Sequence, residues 1–94
     1  MKLHGKEKLM SFIRKHADAK NWIECWIADV ESSTWSGPQD IKNCYASASF
    51  LGDNVVIFNV KGNWYRLEVK VGYRQEAVIV IWTGTHAEYT KRHS

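Results

Sequence analysis

Apolar positions recur at two different periods along this chain, and the change of period divides it into a helical first part and a stranded remainder. Leu9, Phe12, Ile13 and His16 share a stripe at helical spacing, with Lys6, Lys8, Arg14 and Lys15 mostly off it. Asp18 stands where an N-cap would open a second helix, in which Trp22, Ile23, Trp26, Ile27 and Val30 form a broad apolar face. That face needs a sheet or another helix to cover it. Residues 32–40, Ser-Ser-Thr-Trp-Ser-Gly-Pro-Gln-Asp, break the pattern, and Pro38 to Tyr45 reads as one further short helical turn.

From Ser47 onward the chain reads as strand. Gly52-Asp53-Asn54 predicts a hairpin turn between a short strand ending at Leu51 and the run Val55–Val60. Apolar residues of both parities in Val55-Val56-Ile57-Phe58 suit an interior strand buried on both faces. Gly62-Asn63 predicts a second tight turn. The strand from Trp64 to Val71 alternates: Tyr65, Leu67, Val69 and Val71 on a core face, Trp64, Arg66, Glu68 and Lys70 on a polar, cationic one. Ala77–Trp82 is a further apolar strand, followed by the polar Thr83–Tyr89 and a basic tail. The pattern therefore predicts an α+β domain with two N-terminal helices packed on one face of a three- to four-stranded antiparallel sheet. Propensity leaves open whether residues 1–4 add an edge strand.

Composition narrows the class. With 94 residues the chain holds one domain and one core over residues 1–94. Hydrophobic residues at 45% argue against disorder, and no apolar run approaches the ~18 residues that span a bilayer. The first ten residues are basic without the apolar stretch of a signal peptide, so a cytoplasmic protein without a membrane association is expected. Cys25 and Cys44 form no CxxC pair and are expected as reduced, partly buried thiols.

The net charge of +3 is unevenly spread. Residues 1–20 carry +4, residues 21–60 carry −4 and residues 61–94 carry +3. Two basic ends that met in space would present a surface for a polyanion.

Metal-independent RNA cleavage needs a group to move protons and a cation to hold the charge that develops on phosphorus. A histidine suits the first role, and the planar fork of a guanidinium the second. Arg66 on the polar sheet face and His86 after the last strong strand are the candidates. Lys61, Asn63, Lys70 and Tyr89 are candidate phosphate contacts, and Trp64 a candidate stacking surface for a base. Each has a plainer alternative: Arg66 as a solvated partner of Glu68, His86 as a turn residue, Trp64 as cover for the sheet. The four histidines and two cysteines show no zinc spacing, and no cofactor is expected.

The block Ser47–Gly52 followed by Val56-Ile57-Phe58-Asn59-Val60-Lys61-Gly62-Asn63-Trp64-Tyr65-Arg66-Leu67 closely resembles the HigB-type toxins of type II toxin–antitoxin systems, within the RelE superfamily. So do Trp35–Lys42 and the ending Gly84-Thr85-His86-Ala87-Glu88-Tyr89. The resemblance implies a RelE-like fold whose concave sheet face receives RNA. It implies a bacterial endoribonuclease, an mRNA interferase that cuts messenger RNA, usually on the ribosome, and so inhibits translation. It also implies neutralisation by a cognate HigA-type antitoxin with a helix-turn-helix domain, through which alone promoter DNA is bound. Transition-state stabilisation then falls on Arg66 and proton transfer on His86. Thr90 stands where relatives often have Asp. A rival from another class is a non-catalytic RNA- or ribosome-binding module that inhibits translation by occupancy.

Overall fold

A computed structural model describes residues 1–93. The chain runs β1 (Lys2–His4), α1 (Lys6–Lys15), a 3₁₀ turn (Ala17–Ala19), α2 (Lys20–Ser32), α3 (Pro38–Cys44), β2 (Ser49–Phe50), β3 (Val55–Val60), β4 (Tyr65–Gly72), β5 (Ala77–Thr85) and α4 (His86–Arg92). The strands form one sheet in the order β1-β5-β4-β3-β2. This is the RelE-like α+β architecture, with two differences from the sequence reading. The sheet has five strands and is mixed, because β1 pairs parallel to β5 while the other pairs are antiparallel. A three-residue strand carries too little periodicity to announce itself; its partner, more than 70 residues away in sequence, decides it. A fourth helix, α4, also follows β5.

One face of the sheet carries the core. Leu9 and Phe12 of α1 and Ile23, Trp26 and Val30 of α2 pack with Val56, Phe58, Val60, Leu67, Val69, Val71, Val78 and Val80. The helical stripe and the alternation of β4 thus meet in one apolar layer. Val56, Ile57 and Phe58 are all buried, as the double-sided run predicted. The β2–β3 hairpin turns at Asp53 and Asn54, both with positive φ (59° and 62°), and the Val55 amide donates to the Gly52 carbonyl at 3.3 Å. That is the geometry a right-twisted two-stranded ribbon requires, and Asp and Asn tolerate it.

Three local expectations change. Asp18 does not cap α2: it lies in the 3₁₀ turn, and Ala19 occupies the cap position without a side-chain bond. Cys25 and Cys44 are free but exposed rather than partly buried. Trp64 is not on the strand; it closes the β3–β4 turn over Lys61–Trp64, and β4 begins at Tyr65.

Asp18 has work elsewhere. Its carboxylate accepts from the Tyr65 hydroxyl (2.7 Å) and from Lys61 Nζ (3.2 Å). The Tyr65 bond, then Lys61, holds the Asp18 carboxyl below its ordinary value, and the same bond raises the Tyr65 hydroxyl. An Asp with a depressed folded pKa contributes stability above its unfolded value of 3.8, lost as the pH falls through the folded value. Tyr65 contributes below its unfolded value of 10.0, and that is lost as the pH rises through its raised folded value. Urea midpoints measured across pH are therefore expected to fall on both sides, and Tyr65→Phe to flatten both limbs. An unchanged acid limb in Tyr65→Phe would dismiss the Asp18–Tyr65 bond as a source of stability.

Candidate active site

The second face of the sheet carries Arg66 and, packed on it from α4, Tyr89. On β4, Arg66 and Glu68 point away from the core, opposite Gly84 and Trp82 of β5 and Asn59 and Ile57 of β3. The sequence reading leaves this face open and solvated, yet Arg66 and Glu68 are only 8% and 7% exposed. The cover is α4.

A capping box aims that helix. Thr85 Oγ1 accepts from the Glu88 amide (3.1 Å), and Glu88 Oε1 accepts from the Thr85 amide (2.8 Å). Two otherwise orphaned donors are satisfied reciprocally. The amide bond from Thr85 is the main reason the Glu88 carboxyl is held below its ordinary value. Gly84 makes the approach possible, since a Cβ there would lie 2.6 Å from the Trp82 ring and 2.8 Å from Glu88 Oε1. Much of the Gly-Thr-His-Ala-Glu-Tyr block is therefore architecture, and Thr-x-x-Glu was a legible helix start that the sequence reading passed over. Thr90, at the position in doubt, donates to the His86 carbonyl at 3.0 Å within the helix.

Beyond the cap, α4 is strapped down by charge and aromatic contacts. Glu68 Oε1 accepts from Arg92 Nε (3.2 Å) and meets His93 Nε2 at 3.1 Å. The Arg92 guanidinium lies 5.3 Å from the Trp82 ring centre, and the Tyr89 ring packs on His93 at 4.4 Å. Because Arg92 and His93 are one-third or more exposed, the strap contributes only about 1 kcal/mol. Glu68→Ala is expected to speed amide hydrogen exchange in α4 by several-fold while leaving β3 and β4 protected. Equal exchange in α4 would show that the cap alone holds it.

Arg66 is gripped from both sides. Its guanidinium donates to Asn63 Oδ1 (2.7 Å), the Asn63 carbonyl (3.4 Å) and the Tyr65 carbonyl (3.1 Å), and its carbon lies 5.9 Å from the Tyr89 ring centre. Arg66, Asn63 and Tyr89 are thus brought together. His86 is exposed at the first residue of α4, its amide donating to the Trp64 carbonyl at 3.0 Å. Trp64 is 70% exposed. Asn63, Trp64 and His86 line a groove of about 710 Å³ with His16, Tyr65, Thr85 and Ala87. Lys61, half-exposed, lies at the same turn and pairs with Asp18. Lys70 is exposed four residues further along β4, roughly 13 Å at strand rise, and joins neither cluster. Among the described residues no group of three His, Cys, Asp or Glu side chains is placed to hold a metal ion.

The HigB toxin family, described as the RelE-like toxic component of a toxin–antitoxin system, matches residues 19–92 of this chain. The chain belongs to the HigB toxin family. No curated protein matches it. The matched span holds Lys61, Asn63, Trp64, Arg66, Lys70, His86 and Tyr89 of this HigB-family chain, and Glu68 and Arg92 as well. It stops short of β1 and α1, and so of His16. Sequence reasoning placed His16 on the apolar stripe of α1; only the chain path shows that the stripe ends at the groove. Glu68 carried a visible signal, its place on the same strand face as Arg66. Its partners Arg92 and His93 lay in a tail with no pattern of its own. No helix among the described residues is long and apolar enough to cross a membrane.

Proposed function

We propose that this HigB-family toxin is a metal-independent endoribonuclease that cuts mRNA, on the translating ribosome, and is neutralised by a HigA-type antitoxin in the bacterial cytoplasm. The observation that carries the reading is the guanidinium of Arg66, held between Tyr89 and Asn63, the latter lining a groove together with His86 and the exposed Trp64. A preorganised guanidinium stabilises charge that develops on the non-bridging phosphate oxygens, at no reorganisation cost when the reaction occurs. His86 supplies proton transfer near neutral pH. Trp64 offers an exposed ring to a base, and Lys61 and Asn63 sit at the turn where a backbone phosphate would pass. Lys70 contributes positive charge at a distance, not contact. Tyr89 acts by positioning Arg66.

The test is induced expression in bacteria with mapping of mRNA 5′ ends. Discrete new ends within translated regions, absent with Arg66→Ala or His86→Ala, support the reading. Growth arrest without new ends would replace it with inhibition by occupancy. Soluble protein causing neither effect would leave the family and the fold without the activity.

A further inference from the structure

The groove beside Trp64 contains two imidazoles, and a metal-independent cleavage of RNA needs two proton transfers. We propose that His16 is the second proton-transfer group of this site, working with His86 on the scissile phosphodiester. The inference rests on the ribonuclease reading above and adds a residue to it.

The two imidazoles reach the groove from different parts of the chain. His86 comes from the start of α4, where the capping box and the bond to the Trp64 carbonyl fix its backbone. His16 comes from the end of α1, where its amide donates to the Phe12 carbonyl at 2.9 Å. Its half-buried ring lies between Phe12 (4.7 Å between centres) and Tyr65 (5.0 Å). Tyr65 is itself anchored through its hydroxyl to Asp18 at 2.7 Å. Both rings are thus carried on ordered backbone, and both line the same groove of about 710 Å³, a size suited to a small organic group.

The chemistry gives each ring a role. The 2′-oxygen forms its bond to phosphorus while the bond from phosphorus to the 5′-oxygen breaks. The proton of the 2′-hydroxyl passes to a neutral imidazole, and the other ring, as imidazolium, gives its proton to the departing 5′-oxygen. The products are a 2′,3′-cyclic phosphate and a free 5′-hydroxyl, and the step balances without a co-reactant. One histidine performs half of it. Arg66, to which the reading above gives the phosphorane charge, reaches the groove through Asn63 and does not line it, and as a guanidinium it has no proton to exchange near neutral pH.

The charged and titratable groups near the groove gather around His16. Lys15 and Asp18 flank His16, and Glu7 and Lys8 of α1 lie in the adjoining groove that His16 also lines. Tyr65 approaches from the sheet, and Lys61 of the β3–β4 turn pairs with Asp18. Glu88 of α4 feels the charges of His16 and Lys15 as lesser contributions beside its bond to the Thr85 amide.

The experiment measures single-turnover cleavage of an mRNA on translating ribosomes by the full chain, as a function of pH. It uses wild type, His16→Phe and His86→Gln. A second substrate carries sulfur in place of the 5′-oxygen at the mapped cut, since a thiolate leaves without a proton. His16→Phe keeps the ring packing against Phe12 and Tyr65 and removes only the proton chemistry. It is expected to slow cleavage by about 10²–10⁴-fold with an unchanged melting temperature. Each variant is expected to lose one limb of a bell-shaped pH profile, and the sulfur substrate to restore one of the two variants and not the other. His16→Gln serves in parallel, so that a poorly folded His16→Phe still leaves a measurement. Wild-type rates in both His16 variants would overturn the proposal, as would slowed variants that keep both limbs and gain nothing from sulfur. A wild type that arrests translation without cutting would remove the ribonuclease reading itself; a wild type that cuts alongside equally active His16 variants removes only the role of His16.

Discussion

Arg66→Ala is expected to slow mRNA cleavage by about 10²–10³-fold, the loss typical of removing one preorganised charge-stabilising donor from an active site. The reason is geometric. The guanidinium is oriented by Asn63 and the Tyr65 carbonyl on one side and by the Tyr89 ring on the other, before any substrate arrives. Arg66→Lys is expected to recover little, because an ammonium keeps the charge but not the planar fork that spans those acceptors. The same geometry sets a control. As a solvated partner of Glu68, the plainer alternative in the sequence, Arg66 would cost little stability to remove, but at 8% exposure its loss leaves the Asn63 and Tyr65 acceptors without their donor. That costs about 1–3 kcal/mol, so rate and melting temperature must be measured on the same protein. A folded Arg66→Ala variant that cuts at the wild-type rate would take the arginine out of the mechanism.

Trp26→Ala is expected to have the largest effect on stability. Trp26 is fully buried on the core face of α2, with its ring edge-on to Phe58 of β3 at 5.5 Å and 70°. Truncating such a ring to a methyl costs about 3–5 kcal/mol in lost transfer energy and residual cavity. Small domains have about 5–15 kcal/mol in total, so this one substitution removes a large fraction of it. Trp26→Phe is expected to behave differently. Trp26 Nε1 is buried with no hydrogen-bond partner among the described residues, and an unpaired buried donor is a cost that phenylalanine does not carry. Urea denaturation should therefore show a severe loss for alanine and a much smaller one for phenylalanine. Equal losses for the two would mean that the indole nitrogen has a partner in solution, and a loss below about 1 kcal/mol for alanine would mean that the core repacks around the site.

The two variants probe opposite faces of the sheet, and those faces differed in how much of them could be read in advance. The core face was largely legible. The stripe of α1, the broad face of α2 and the alternation of Tyr65, Leu67, Val69 and Val71 are local regularities, and each has one way to bury itself. The Asp53-Asn54 turn was equally plain, because few residue pairs accept positive φ in succession. The other face was read only as a list. Arg66, Asn63, Trp64, Lys70, His86 and Tyr89 are separate candidates in the sequence, which shows neither that Arg66 and Tyr89 meet at Asn63, nor that Trp64 and His86 share a groove with it, nor that Lys70 stands apart along β4. What misled was the missing cover: α4 lies over β4 and turns a solvated face into one where Arg66 and Glu68 are nearly buried.

The sequence by itself determined the class of the fold, the core residues, the family resemblance and the residue types able to carry the chemistry. It did so because helical and strand periods are written within ten residues, and because a motif is a string. The tertiary structure alone decided that β1 joins the sheet in parallel beside β5 and that Asp18 holds Tyr65 and Lys61 instead of capping a helix. It also decided that α4 straps Arg66 through Tyr89, and that His16 and His86 share a groove. Each of these depends on partners brought together from distant segments, and the free energy that selects them comes from contacts no local pattern contains.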